Sequence, residues 1–218
     1  LNPIPDETVN YFDDELKFGP QEIEGNWNYG KVLDLHTVSS RMVGEDAFGH
    51  PQFETEYSAA GKLLHAFKYR GDAGAERGLL KMVGNYFADN LSARIDVVAP
   101  VPPSKSGRFV TARIAEEIAA RISAACSDRA LIKKRPTEQM KDTDSRLRRD
   151  ALADAFSADP AILAGKNVLL VDDLYQTGAT LEAATAVLRA QGRAAKVYVF
   201  AVTRTRRRSD GAADDTPF

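Results

Sequence analysis

The chain has 218 residues, 44% of them hydrophobic and 28% charged, with a formal net charge of −2; this is globular composition with room for one domain and an extension. A single cysteine, Cys126, and three scattered histidines, His36, His50 and His65, exclude an intrachain disulfide, a cysteine-rich zinc site and an HExxH metal pair. The small net charge hides an uneven distribution: residues 1–60 carry 3 Lys/Arg against 12 Asp/Glu, and residues 61–218 carry 26 against 19, so an acidic lead-in precedes a basic body suited to a polyanionic ligand.

Residues 1–54 hold turn signals at Phe18-Gly19-Pro20 and Gly49-His50-Pro51 and one short apolar run, Val32 to Val38. They read as an acidic N-terminal extension or hood. From Thr55 the pattern turns helical, with Ala60, Leu63, Leu64 and Phe67 on one face. A second helix carries Leu80, Val83, Phe87 and Leu91, and a short strand follows at Ile95 to Ala99, stopped by Pro100-Val101-Pro102-Pro103. Ile114, Ile118 and Ile122 mark a third helix. Leu131-Ile132 reads as a short strand before a polar, basic stretch that runs to about Asp150. Val168 to Val171 is a buried strand, Thr180 to Ala190 a helix closed by Gly192, and Val197 to Val202 a last strand. Arg204, Arg206, Arg207 and Arg208 then open a polar tail, residues 204–218, expected to be disordered. The body of the domain is therefore residues 55–203.

Strands alternate with helices, and several strands are apolar on both faces. The fold class is α/β, an open and mostly parallel sheet with helices on both faces. Ligands of such sheets bind beyond the carboxyl ends of the strands, which directs attention to the loops after Val98, Ile132 and Val171. No uncharged apolar run approaches a membrane span, and the acidic start lacks the apolar region of a secretory leader. With the lone cysteine, this predicts a soluble, cytoplasmic setting without membrane contact.

The segment from Asn167 to Leu181, NVLLVDDLYQTGATL, concentrates the chemistry. Four apolar residues lead to Asp172 and Asp173, and a tight loop of Gln176, Thr177, Gly178, Ala179 and Thr180 enters a helix. A helix N-terminus offers unpaired amides and partial positive charge to a phosphate. Gly178 lets the backbone approach closely, and Thr177 and Thr180 bring hydroxyls. The aspartates repel a phosphate, but they accept hydrogen bonds from sugar hydroxyls or organise a hydrated Mg²⁺. A ligand with a phosphate and a cis-diol close together, such as a ribose 5-phosphate, satisfies both halves. Two blander readings compete: a Walker-B strand, which lacks any G-x-x-x-x-G-K-[ST] elsewhere in the chain, and a capped helix beside solvated aspartates.

At these residues the sequence resembles the type I phosphoribosyltransferases, whose fingerprint of apolar run, two acids, short variable stretch and Thr-Gly-x-Thr stands here as VLLV-DD-LYQ-TG-A-T. The resemblance implies that Asp172 and Asp173 contact the ribose of phosphoribosyl pyrophosphate (PRPP), while Tyr175, Gln176, Thr177, Gly178, Ala179 and Thr180 form the 5-phosphate loop. Further segments resemble the ComF-like branch: Leu64 to Asp72, LHAFKYRGD; Asp96 to Ala112, DVVAPVPPSKSGRFVTA; and Thr137 to Phe156, TEQMKDTDSRLRRDALADAF. The pyrophosphate loop of the family falls at Pro100 to Arg108, which makes Ser104, Lys105, Ser106 and Arg108 candidates for pyrophosphate, with Lys68 a further one. The same residues also suit a solvated Pro-rich turn, and Lys68 a helix-ending cation. Residues 133–149, with Arg135, Lys141, Arg146 and Arg149, resemble the family's mobile loop over PRPP.

The implied activity is transfer of a phosphoribosyl group from PRPP to a small-molecule acceptor with release of pyrophosphate. Its cofactor is Mg²⁺, met by Asp172 and Asp173 through water, and the usual assembly is a homodimer. Acceptor contacts in the family come from variable hood segments, a role open to residues 1–60. No histidine sits near a motif, so no general base is evident. Departures are the missing four-cysteine zinc module of many ComF-like proteins, the Gly107-Arg108-Phe109-Val110-Thr111 that stands for Arg-Gly-Phe-Asn-Gln, and Asp150-Ala151 at a place held by Asn. A PRPP-sensing protein without catalysis, or a competence-type protein associated with nucleic acid, would carry the same fingerprint. Four tail arginines are more often a solvated terminus than a nucleic-acid site.

Overall fold

The computed structural model describes residues 19–46, 48–103, 110–134 and 155–205. β1 (Gln21–Glu22) turns back antiparallel onto β2 (Tyr29–Leu35). His36 separates β2 from β3 (Thr37–Glu45), which forms a hairpin with β4 (Pro51–Tyr57). Ser58 caps α1 (Ala59–His65) by accepting from the Gly61 amide at 3.0 Å. The helix runs on as one π turn, Ala66–Arg70, and Gly71 ends it in the left-handed region at φ 70°. α2 (Ala73–Asn90) is capped by Asp72. β5 (Val97–Pro100), α3 (Val110–Ile122), β6 (Ala125–Cys126), β7 (Leu131–Lys133), β8 (Phe156–Ala158) and the single turn α4 (Pro160–Leu163) follow. β9 (Asn167–Tyr175), α5 (Ala179–Ala190) and β10 (Lys196–Arg204) complete the described chain.

Six strands form one sheet in the order β1-β2-β10-β9-β5-β6, parallel throughout except for β1. Successive side chains of a strand point to opposite faces, so apolar runs supply two cores at once. Leu169, Val171, Phe200 and Val202 face α1, α2 and α3 with Leu64, Val83, Ile114 and Ile118. Val168, Leu170, Val199 and Ala201 face α5 with Leu181, Ala184 and Leu188. Phe200 lies 4.8 Å from Phe87 and 5.9 Å from Tyr86 between ring centroids, and burying such a ring contributes about 2–3 kcal/mol. The expected α/β class, a mostly parallel sheet with helices on both faces, is the observed one.

Four particulars differ from the sequence reading. β2, from the segment read as an extension, is an interior strand of the sheet, hydrogen-bonded to β10 along Tyr29 to Leu35. Thr55 lies in β4, and the helix starts at Ala59, after its Ser58 cap. Leu131-Ile132 pairs with β8 in a separate two-stranded ribbon, outside the main sheet. Arg204, read as the first residue of a disordered tail, is the last of β10; it is buried, and its Nε donates to Gln21 Oε1 at 2.6 Å. Arg206, Arg207 and Arg208 lie outside the described residues.

Candidate functional site at the carboxyl edge of the sheet

β9, at the middle of the sheet, carries Asp172 and Asp173 within the strand itself, which runs on to Tyr175. Pairing to β10 from Lys196 to Arg204 holds that extra length straight. Gln176 and Thr177 are exposed, and Gly178 is the N-cap of α5 at φ 85°, a conformation that favours glycine. A Cβ at this position would meet the Tyr175 phenol oxygen at 3.0 Å. The Tyr175 ring is buried beneath the loop and packs in the core around α5. Its part is to support the loop from below. Gly178 brings no capping side chain to α5, and Thr177 Oγ1 accepts from the Ala179 amide only at 3.4 Å. The first turn of α5 thus presents amides and the positive end of the helix dipole at the sheet edge.

The acidic pair is electrostatically unequal. Lys68, from the π turn, makes an ion pair with Asp173 through its Nζ and Oδ2. Burial works against the Lys68 charge, but the Asp173 carboxylate outweighs it, and the ammonium is held above the usual lysine range. Asp172 Oδ1 accepts from the Asp173 amide at 2.8 Å. Burial, followed by the negative charge of Asp173, pushes the Asp172 carboxyl up to about 7. One carboxylate is thus neutralised by a fixed cation, while its neighbour takes up a proton near neutral pH.

Histidines do stand beside this motif. His36, in the one-residue gap between β2 and β3, places Nδ1 3.1 Å from Thr203 Oγ1, and Thr203 donates to the Asp173 carbonyl at 3.2 Å. Thr203 has one hydroxyl proton and gives it to that carbonyl, so His36 Nδ1 carries the hydrogen of their shared bond. Burial first, then the charges of His65 and Lys68, lower the His36 pKa against the pull of Asp173. The neutral ring leaves Nε2 as an acceptor. Tyr57 meets His36 edge-on at 5.6 Å between centroids and His65 at 4.9 Å.

Of the sequence-derived candidates, the structure brings together Asp172, Asp173, the loop from Tyr175 to Thr180, and Lys68. Ser104, Lys105, Ser106 and Arg108, together with Arg135, Lys141, Arg146 and Arg149, lie outside the described residues. His36, Tyr57, His65 and Thr203 were not singled out. A signal for two of them was present: His36 follows the apolar run that ends at Leu35, and Thr203 ends the run from Val197. Both are carboxyl ends of strands, the places where ligands of such sheets bind.

A family model described as phosphoribosyl transferase domain matches residues 76–217. Competence protein ComFC of Bacillus subtilis (strain 168) is 31% identical over 152 residues, covering 66% of this chain and 59% of that protein. Among solved structures, the glutamine PRPP amidotransferase from B. subtilis aligns over 68% of this chain and 33% of its own, at 21% identity and TM-score 0.49. Adenine phosphoribosyltransferase from Saccharomyces cerevisiae aligns over 77% of this chain and 84% of its own, at 14% identity and TM-score 0.40. The chain therefore spans less than two thirds of the length of ComFC and of the amidotransferase. The match over most of its length, through the acid pair and the loop that follows, shows that the chain belongs to the phosphoribosyl transferase domain family, as the ComF-like resemblance of its sequence implied.

Proposed function

We propose that this protein binds PRPP at the carboxyl edge of its sheet and transfers the phosphoribosyl group to a small-molecule acceptor, releasing pyrophosphate. One juxtaposition carries the reading: the carboxylates of Asp172 and Asp173, near the end of β9, stand six and five residues before Gly178, the N-cap of α5. The α5 amides would take the 5-phosphate, and Asp172 and Asp173 would accept from the ribose hydroxyls. In the transfer, the C1′–O bond breaks with its electron pair passing to pyrophosphate, and the acceptor's lone pair forms the new bond to C1′. Positive charge develops on the ribose ring, where the nearby carboxylates stabilise it. Lys68 fixes Asp173 in position beside them.

Among the described residues, no group of three or more His, Cys, Asp or Glu side chains could hold a metal by itself. Two carboxylates nevertheless suit Mg²⁺, which keeps most of its waters and takes substrate phosphate oxygens. Asp172 and Asp173 would hold it through water, and its chemistry would be neutralisation of the departing pyrophosphate. A homodimer in the cytoplasm completes the reading; the lone cysteine and the family resemblance support it, and no helix among the described residues is long and apolar enough to cross a membrane.

Calorimetric titration with PRPP and Mg²⁺, run beside the Asp172→Asn, Asp173→Asn double variant, tests the site. Saturable binding that the variant loses is expected. Absence of binding at millimolar PRPP overturns the proposal. Binding without pyrophosphate release for any acceptor would move the protein to a PRPP-sensing role.

A further inference from the structure

Between Val38 and Phe53 the β3–β4 ribbon gathers five of the nine exposed large apolar side chains of the described residues, Val38, Met42, Val43, Phe48 and Phe53, so most of that surface lies on one element outside the main sheet. Met42 and Phe53 are direct cross-strand partners and share a face, 54% and 59% exposed. Ser40 and Thr55 lie on the same face, while Arg41 with Glu54 and Ser39 with Glu56 make up the other. A two-stranded ribbon is marginal in water, and further strands on an apolar face are what stabilise it. Among the described residues neither edge of this ribbon pairs with another strand.

The two edges are not equivalent. On β3 the register shifts at Val38 and again at Val43, and such irregularities blunt an edge. β4 has no extra residue between Gln52 and Glu56, and its one proline, Pro51, stands at its first position. The regular edge of β4 is therefore the one able to take a further strand.

We infer that the occupant of this edge is β4 of a second copy of the chain, paired antiparallel about a two-fold axis at Phe53 to make one four-stranded sheet. Charge selects the register. A two-fold axis on a strand must pass through a residue facing itself, and like charges directly opposite each other are unfavourable. An axis at Glu54 opposes two carboxylates, and an axis at Thr55 sets Glu54 against Glu56 of the second copy. An axis at Gln52 or at Glu56 overlaps only three residues of β4. With the axis at Phe53, the two phenyl rings face each other, Glu54 meets Gln52, Thr55 meets Pro51 and Glu56 meets His50 of the second copy. Met42 and Phe53 of both copies then form one apolar row across the sheet. Residues 37–57 carry one Lys/Arg against four Asp/Glu, which opposes an anionic lipid surface or a nucleic acid as the occupant. This inference rests on the homodimer proposed above, whose contact it names, and it does not depend on PRPP binding.

The test uses the full chain, with sedimentation equilibrium reading the dimer and calorimetry reading PRPP binding. The wild type is expected to be a dimer. Phe53→Glu, which sets two carboxylates face to face on the axis, should weaken it ~10-fold or more. Replacement of residues 38–56 by Asn-Gly should leave a folded monomer, and PRPP affinity should be the same in all three. In a Cys126→Ser background, Phe53→Cys should form an interchain disulfide on mild oxidation. Thr55→Cys, four residues along the strand from its counterpart and so about 13 Å away, should not. The inference is overturned by a wild type that stays monomeric, whether or not its ribbon takes up a lysine–valine alternating peptide instead. It is equally overturned by a Thr55→Cys link without a Phe53→Cys link. A dimer that survives both Phe53→Glu and the ribbon replacement overturns it too, leaving the homodimer with its contact elsewhere. A dimer that depends on Phe53 in a protein that binds no PRPP defeats the transferase reading and upholds the ribbon contact.

Discussion

Asp172 and Asp173 differ by one position, yet their surroundings assign them opposite tasks. Lys68 keeps a cation on Asp173, while burial and the charge of Asp173 raise Asp172 to about 7. For a carboxyl the sign is definite. The folded state holds its proton at a pH where the unfolded chain has lost it, so this contribution to stability is present below about 4 and is lost as pH rises to about 7. A ligand diol has the opposite preference, because it donates to the ionised form. PRPP affinity should therefore rise about tenfold per pH unit below 7 through this group and level off above it. Asp172→Asn should remove both slopes, leaving only the titration of PRPP itself; melting temperature and calorimetric Kd between pH 5 and 8 read the two effects. Lys68→Met leaves Asp173 uncompensated beside Asp172 and should move the midpoint of the affinity profile to higher pH. Lys68 acting only as a packing residue would lower melting temperature without moving that midpoint.

Two glycines decide how the elements meet at the site. Gly178 joins β9 to α5 at φ 85° above the Tyr175 ring. Alanine there meets both a left-handed backbone and the phenol, so Gly178→Ala should cost about 1 kcal/mol or more in urea unfolding and weaken PRPP binding further than that. Gly61, on α1, lies against the His36 carbonyl, where a Cβ would overlap backbone. Gly61→Ala should therefore destabilise by about 2–3 kcal/mol and disturb the His36–Thr203 contact. The sequence made β9 and its loop legible because an uninterrupted apolar run, a paired acid and a glycine at a helix start each have a local cause. The helices on Leu64, Val83 and Ile114 were legible for the same reason, their repeat of three and four. The partner of β2 was not legible: β10 lies more than 160 residues away, and pairing across that distance leaves no local trace. Nor was the π turn, whose sequence Ala66-Phe67-Lys68-Tyr69-Arg70 continues the helical pattern of α1 without a break.

Across the whole molecule, the N-terminal third divides into a part that builds the sheet and a part that stands outside it. β2 buries Val32 in one core and Leu33 in the other, and its pairing with β10 extends to Asp34 and Leu35. Asn28 ties the same segment to α5 and β10, its Oδ1 accepting from Arg189 at 2.8 Å and from the Val197 amide at 2.9 Å. The β3–β4 hairpin is built differently. Met42, Val43, Phe48 and Phe53 are all exposed, and beyond Tyr57 the ribbon is held mainly by its own cross-strand bonds, Arg41 to Glu54 among them. A two-stranded ribbon of this kind adds little to the stability of the body. Thr37 and Tyr57 are direct partners in the ladder, close enough for a two-residue turn to bridge them. Replacing residues 38–56 by Asn-Gly should therefore leave a cooperatively folded protein that binds PRPP as the parent does. Deleting residues 19–36 with the hairpin kept should instead open both cores along β10 and abolish cooperative unfolding. Calorimetric melting and near-ultraviolet circular dichroism of the two variants distinguish these outcomes. Loss of folding in the hairpin replacement would show that the ribbon, and not β2 alone, completes the domain.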